Sequence, residues 1–325
     1  MTRPRTRTLR VGTRGSKLAL WQTARVRKML DAAGVRTEQV EIRTTGDMVQ
    51  EIPLARIGSR ALFTRQIDDA MLEGRIDLAV HSLKDLPTEL PEGLALAAVS
   101  EREDARDALV ARARLTWERL PKGAIVATSS LRRRAQLLHL RPDLQVVDIR
   151  GNVDTRLAKL DAQAEWSAIL LACAGLDRLG LGHRISERLP TELFLPAPGQ
   201  GALAVTARSD DAESISAARS AVHHPPTGST VSAERAFLRR LEGGCQVPVA
   251  AFAELDGSTG HLRLRGRIVS LGGEKAVDGI EEASADDERG AAAIGQALAE
   301  RLLAQGAAEI LTSVRASASP VVSEP

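Results

Sequence analysis

Short apolar runs recur along the first two thirds of the chain: LRVGT (9–13), VEIRT (40–44), DLAVH (77–81), LALAAV (94–99), AIVATS (124–129), LQVVDI (144–149), AILLACA (168–174) and GALAVTA (201–207). Runs this short, bounded by polar and turn residues, predict buried strands. Between many of them the apolar period becomes helical. Phe63, Ile67, Ala70 and Met71 fall at i, i+4, i+7 and i+8, and Val153, Leu157, Leu160 and Ala164 are spaced similarly. Strands alternating with helices predict α/β layers with mostly parallel sheets. The pattern changes after about residue 220. TVSAERAFLRRLE (230–242) predicts a helix. LRLRGRIVS sets Leu262, Leu264 and Ile268 against Arg263, Arg265 and Arg267, the alternation of a half-exposed antiparallel strand. A helix over about 286–305 completes a small α+β unit.

Two segments look like linkers, LPTELFLPAPGQG (189–201) and HHPPTGS (223–229). TTGDMVQEIPLARIGSR, between about 44 and 60, is long for an internal loop and is expected to be either a lid or a plain surface loop. The last residues, SVRASASPVVSEP, and roughly the first seven lack periodicity and are expected to be disordered tails. The start is basic but has no apolar stretch behind it, and no apolar run approaches a membrane span, so a cytoplasmic protein is expected.

Composition narrows the classes. The chain has 325 residues, enough for two or three domains, with 43% hydrophobic residues to fill their cores. Two cysteines exclude a disulfide scaffold and an all-cysteine zinc site, and no HExxH or Cys/His cluster suggests a metal. A net charge of +2 argues against a polyanion binder driven by bulk charge. Of the 44 basic residues 38 are arginine, which suits either GC-rich coding or guanidinium forks that clamp carboxylates or phosphates. Aromatics make up only 2%, leaving little to stack bases on.

Four segments put polar groups where a strand ends: VGTRGSKLALWQ (11–22), AVHSLKDLP (79–87), VATSSLRRRAQLL (126–138) and VVDIRGNVDTRLAKL (146–160). In parallel α/β sheets ligands bind at the carboxyl ends of strands, and helix N-termini there attract anions. Ser16, Ser129 and Ser130 can cap helices or bind an anion. Arg14, Arg132, Arg133, Arg150 and Arg156 add positive charge beside them. Several such helix starts together imply an anion with more than one carboxylate or phosphate. No P-loop and no GxGxxG after the first strand competes with that reading. Lys84 and Asp85 are either a surface pair or a carboxylate beside a cation that steers protons or stabilises a cationic intermediate. Cys245, in LEGGCQVPVA, follows two glycines, as an exposed nucleophile or attachment point would. Cys173, within an apolar run, is expected in the core.

With these segments, IDLAVHSLKDLPTELPEGL, AGLDRLGL, GQGALAV and AERAFLRRLEGGCQVP complete a set that resembles the porphobilinogen deaminases (hydroxymethylbilane synthases) from about residue 9 to about 310. The resemblance implies two lobes like those of periplasmic binding proteins plus a small C-terminal α+β domain. Domain 1 would take residues 1–102 and 201–220, domain 2 103–200, domain 3 221–312, and a tail 313–325. It implies a transferase that joins four porphobilinogen molecules head to tail, releasing ammonia, into linear hydroxymethylbilane for tetrapyrrole synthesis. The implied cofactor is dipyrromethane, held by a thioether to Cys245. Asp85 would be the catalytic carboxylate. Ser82, Lys84, Thr128, Ser129, Ser130, Arg132, Arg133, Gly151 and Asn152 would hold the cofactor. Phe63, Arg14, Ser16, Arg150, Arg156, Arg178 and Gln200 would hold substrate. A monomer is implied, with neither nucleic acid nor membrane as partner.

The chain departs from the family pattern at Arg60, Ala61, Arg65 and Gln66, around the base of the expected lid, and at Pro198 in LPAPGQG; altered lid dynamics and a stiffer hinge would follow. A two-lobed solute-binding protein and an arginine-rich nucleic-acid binder are the competing readings. The GGCQVP loop and the missing leader oppose the first, and the second would require steeply salt-dependent binding.

Overall fold

The computed structural model describes residues 7–44, 64–241, 247–285 and 287–318. Phe63, Ala61, Cys245 and residues 45–60 of the segment expected to be either a lid or a surface loop lie outside the described residues.

The first lobe is built on a five-stranded sheet. Its strands β1 (Leu9–Thr13), β2 (Thr37–Glu41), β3 (Leu78–Ser82), β4 (Leu94–Val99) and β10 (Leu203–Arg208) stand in the order β2-β1-β3-β10-β4. The second lobe has β5 (Asp107–Ala111), β6 (Ile125–Ala127), β7 (Gln145–Val147), β8 (Trp166–Ala172) and β9 (Glu187–Arg188) in the order β7-β6-β8-β5-β9. The two arrangements are the same. In each, β10 or β5 runs antiparallel to both neighbours while the other pairs that meet directly are parallel. The reversed strand is in each case the one by which the chain enters from the other lobe. That explains why mostly parallel sheets, expected from the alternation, carry one opposed strand each.

Helices α1 (Lys17–Ala32), α2 (Arg65–Leu72) and α6 (Ala212–Val222) cover the first sheet; α3 (Leu131–Leu140), α4 (Val153–Ala162) and α5 (Cys173–Arg178) belong to the second lobe. Both faces of each sheet are covered, so its strands bury successive residues on opposite sides. Leu109 and Leu170 pack with Trp117, Leu137 and Phe194, whereas Val110, Ile169 and Leu171 pack with Ile149, Leu157 and Leu176. The run DALVA, now β5, escaped the sequence reading because Asp107 opens it and charged residues precede it.

Beyond residue 222 the helix α7 (Pro225–Arg240) packs with α8 (Glu288–Leu302) on the antiparallel sheet β11-β12-β13, formed by Val249–Asp256, His261–Val269 and Ala276–Ser284. The core between them holds Phe237, Leu262, Leu264, Ile268, Leu298 and Leu302. Two expectations fail here. HHPPTGS is no linker: His224 caps α7 by accepting from Thr227 N, and Pro225 and Pro226 fill its first turn, where a missing N–H costs nothing. Residues 313–318, expected in the tail, continue the helix α9 (Ala308–Ala318), where Val314 is buried and Arg315 donates to Leu241 O at 3.1 Å.

Candidate functional site

The chain passes between the lobes twice, at 100–106 and 196–202, and the two strands of this hinge lie side by side. Ser100 N donates to Leu203 O at 3.0 Å and Glu103 N to Gly201 O at 3.2 Å. Gly201 has φ +95°, and a Cβ there would lie 2.5 Å from Glu103 O, so only glycine fits. The segment read as linker, which contains Pro198, is therefore buried: Phe194 and Gln200 are 0% and 1% exposed.

At the mouth of the cleft beside this hinge stand the carboxyl ends of the parallel strands. β1 leads through Arg14 to Ser16, whose Oγ caps α1 by accepting from Ala19 N. β3 ends in Ser82 and the 3-10 turn Leu83–Asp85. Gln22 Nε2 donates to Ser82 Oγ at 2.8 Å, and Asp85 is exposed. On the opposite lobe β6 leads to Thr128, Ser129 and Ser130. Ser130 caps α3 by accepting from Arg133 N, Thr128 Oγ1 accepts from Ser130 N, and Ser129 Oγ both donates to Ile149 O and accepts from Ile149 N. These hydroxyls thus serve the turn itself. After β7, Gly151 takes φ +112°, a conformation other residues rarely adopt, and exposed Asn152 opens α4. A salt bridge at 2.6 Å joins Lys17, at the start of α1, to Asp154, at the start of α4. The two helix N-termini thus face each other across the lobes.

The arginines split into two groups. Arg132 and Arg133, both 6% exposed, turn inward onto Asp107, which has no exposed surface. Arg132 Nη1 and Nη2 reach its carboxylate at 2.6 and 3.2 Å, and Arg133 Nη2 and Nε at 2.6 and 3.0 Å. Their further bonds go to Leu195 O and Leu170 O. Burial alone would raise the Asp107 carboxyl, but the two guanidiniums outweigh it and hold it well below the usual carboxylate range. Arg178 is likewise turned inward: it bonds Glu103 Oε2 and Gly201 O, each at 2.7 Å, and lies 5.8 Å from the Trp21 ring. It clamps both hinge segments to α1. The sequence reading had put all three on bound carboxylates; here their bonds are within the protein.

Arg150 and Arg156 behave differently. Arg150 Nη1 is buried without a hydrogen-bond partner. Arg156 spends its Nε on Gly151 O at 2.8 Å and forms no ion pair among the described residues. Its pKa is pushed down to about 10, first by burial and then by Arg133 and Arg150, with only Asp85 opposing. Lys84, half-buried, donates to Gln200 Oε1 at 3.1 Å; burial and then Arg133 push it down to about 8. The cleft therefore gathers Lys84, Arg150 and Arg156 around one exposed carboxylate, Asp85. A buried, unpaired guanidinium nitrogen is costly. It fits a ligand that brings a carboxylate into the cleft.

Toward the C-terminal domain, Glu234 on α7 is fully buried. It accepts from Arg102 Nη1 and Nη2, Gly199 N and Ala253 N, at 2.6, 3.2, 2.7 and 2.8 Å. Arg235 Nη2 donates to Pro87 O and Thr88 O, next to the Asp85 turn. The helix leading to Cys245 is thus pinned beside Asp85 and to the hinge. Sequence reasoning missed Asp107, Glu234 and Arg102; their only signal was a charge next to an apolar run. Cys173 is fully buried, and burial pushes its thiol up to about 12, the state of an inert core residue. No group of His, Cys, Asp and Glu suited to a metal occurs among the described residues, and no helix there is long and apolar enough to cross a membrane.

Comparison with known proteins bears directly on this cleft. The family model "Porphobilinogen deaminase, dipyromethane cofactor binding domain" matches residues 9–216, and the model of the C-terminal domain of the same enzyme matches 229–304. The chain is 52% identical over 310 residues to the porphobilinogen deaminase of Desulforudis audaxviator, covering 95% of this chain and 98% of that one. It is 50% identical over 309 residues to that of Geobacter metallireducens, 94% of each chain. With that of Geotalea uraniireducens it shares 48% over 310 residues, 95% of each. Among solved structures, the methionine-binding protein MetQ aligns with a TM-score of 0.40 and 15% identity, over 66% of this chain and 89% of that one.

Proposed function

Because the chain belongs to the porphobilinogen deaminase family, the transferases that make linear hydroxymethylbilane in tetrapyrrole synthesis, we propose that its interlobe cleft is where four porphobilinogens are joined, with Asp85 as the catalytic carboxylate and Cys245 as the cofactor anchor. A dipyrromethane on Cys245 supplies the terminal pyrrole from which the product grows. The observation that carries this reading is the unpaired, buried Arg150 nitrogen beside Arg156, opposite the only exposed carboxylate of the set.

Each residue then has a physical task. Loss of ammonia from porphobilinogen leaves positive charge on its pyrrole nitrogen, and Asp85 stabilises that charge while accepting the N–H. The same carboxylate, exposed to the cleft, can pass a proton to the departing amine and take one from the coupled ring. Arg150 and Arg156 hold the acetate and propionate groups, with Lys84, Arg14, Ser16 and the turn at Gly151 and Asn152 completing the cradle. Ser82, Thr128, Ser129 and Ser130 shape the strand-end turns, Gln200 orients Lys84, and Arg132, Arg133 and Arg178 act from behind by fixing Asp107 and the hinge. Phe63 would contact substrate, as the family resemblance implies. The protein works as a cytoplasmic monomer without a metal or a nucleic-acid partner.

Intact-mass spectrometry tests the anchor: the native chain carries the mass of a dipyrromethane and Cys245→Ser does not. A bare polypeptide, even after incubation with porphobilinogen, would sink the assignment. Asp85→Asn should retain the adduct yet lose bilane formation by on the order of 100-fold or more; near-normal turnover would remove Asp85 from its role.

A further inference from the structure

Lys84 directly precedes Asp85, and its ammonium is held from outside its own turn. Nζ donates to Gln200 Oε1 at 3.1 Å. The Gln200 amide cannot flip without loss, because Nε2 donates to Ala105 O at 2.7 Å and Asp107 Oδ1 at 3.0 Å. Asp107 in turn carries four contacts from Arg132 and Arg133. A continuous chain of bonds therefore runs from α3 of the second lobe, through β5 and the returning hinge segment, to the turn of the first lobe that bears Asp85. One buried carboxylate with two buried guanidiniums is a poor source of stability, since apolar residues of similar volume commonly do as well. Its connection to Lys84 gives it a different purpose.

We propose that Asp107 is a positioning residue of the cleft: through Gln200 it fixes Lys84 beside Asp85 and keeps it a cation, so that it meets the carboxylates of the growing chain. The proposal rests on the reading of Lys84 and Asp85 as cleft residues. The groups facing Lys84 are Arg133 and Arg132 from α3, which repel its charge, and Asp107 from β5 and Asp85 from its own turn, which favour it. Without the Asp107 charge the two guanidiniums act on Lys84 unopposed from that side.

The test reads Lys84 directly. Trace acetylation of the holoenzyme across pH, with the Lys84 peptide quantified by mass spectrometry, gives the midpoint of its deprotonation. Asp107→Asn should lower that midpoint by on the order of one unit, and Asp107→Glu should restore it in part. Gln200→Leu, which leaves the Asp107–arginine pairs intact, should also lower it by removing the acceptor, and it decides the matter if Asp107→Asn yields no folded protein. A folded Asp107→Asn, or failing that a folded Gln200→Leu, with an unmoved midpoint overturns the proposal. The alkaline limb of kcat/KM should follow the labelling midpoint. If labelling moves and the limb does not, the relay stands and the placement of Lys84 on substrate falls.

Discussion

Replacing Glu234 by glutamine would show what joins the C-terminal domain to the hinge. Its two oxygens accept four N–H groups: Arg102 Nη1 and Ala253 N on Oε1, Arg102 Nη2 and Gly199 N on Oε2. Glutamine has nearly the same shape, but its amide nitrogen must replace one oxygen. In either orientation that nitrogen opposes two donors, one from Arg102 and one from a buried backbone N–H. The substitution therefore loses two hydrogen bonds and leaves the Arg102 guanidinium, only 11% exposed, without its counter-charge. Breaking a buried pair by removing one partner costs about 3–5 kcal/mol. For a chain of this size that corresponds to a fall of roughly 10 °C in the melting midpoint. The assay is thermal unfolding of Glu234→Gln and Glu234→Ala beside the native protein. Alanine removes the acceptors of all four bonds and leaves a cavity, so it should melt no higher than glutamine. A glutamine variant melting within about 2 °C of the native protein, a shift worth no more than about 1 kcal/mol, would refute the reasoning, because it would mean that the network is not what holds α7 to the hinge.

Arg150→Gln should leave the melting midpoint unchanged or slightly higher, since Nη1 has no internal partner to lose, while KM for porphobilinogen rises by on the order of 10- to 100-fold, the loss of one charge-assisted bond; an unchanged KM would remove it from the substrate set. Asp68, on α2, is buried, and burial pushes its carboxyl up from 3.8 to about 6. A raised folded-state pKa favours folding below pH 3.8 and loses that advantage as pH rises through about 6. Asp68→Asn should therefore melt higher than the native protein at pH 7, by up to about 3 kcal/mol of stability, but at the same temperature as the native protein at pH 3.5; a difference in the same direction at both pH values would contradict it.

Several features of the fold were legible without coordinates. LRVGT and LALAAV are strands over the same residues in the structure, and the alternation at Leu262–Ile268 marks a true half-exposed strand. Periodicity suffices there because burial on one or two faces writes itself directly into local spacing. The strand-end positions of Ser16, Ser130, Lys84, Asp85, Arg150 and Arg156 were legible for a similar reason: a helix start after a strand is a local event. The Arg-rich composition, in contrast, could not tell the two kinds of arginine apart. Arg150 and Arg156 remain available to a ligand, whereas Arg132, Arg133 and Arg178 are spent on Asp107, Glu103 and Gly201 O.

Which guanidinium meets a ligand and which meets a buried carboxylate depends on partners 25 or 75 residues away in the chain. No local pattern encodes such pairs. The same holds for HHPPTGS, whose prolines look like a break until His224 is seen capping a helix, and for β5 and β10, whose reversed directions follow from the chain crossing between lobes rather than from their own residues. Local sequence determined the elements and placed polar groups at their ends, since it controls period and capping. Tertiary structure alone decided which of those charges neutralise one another, because a helix must pack on its sheet, and the hinge must form, before those distances exist.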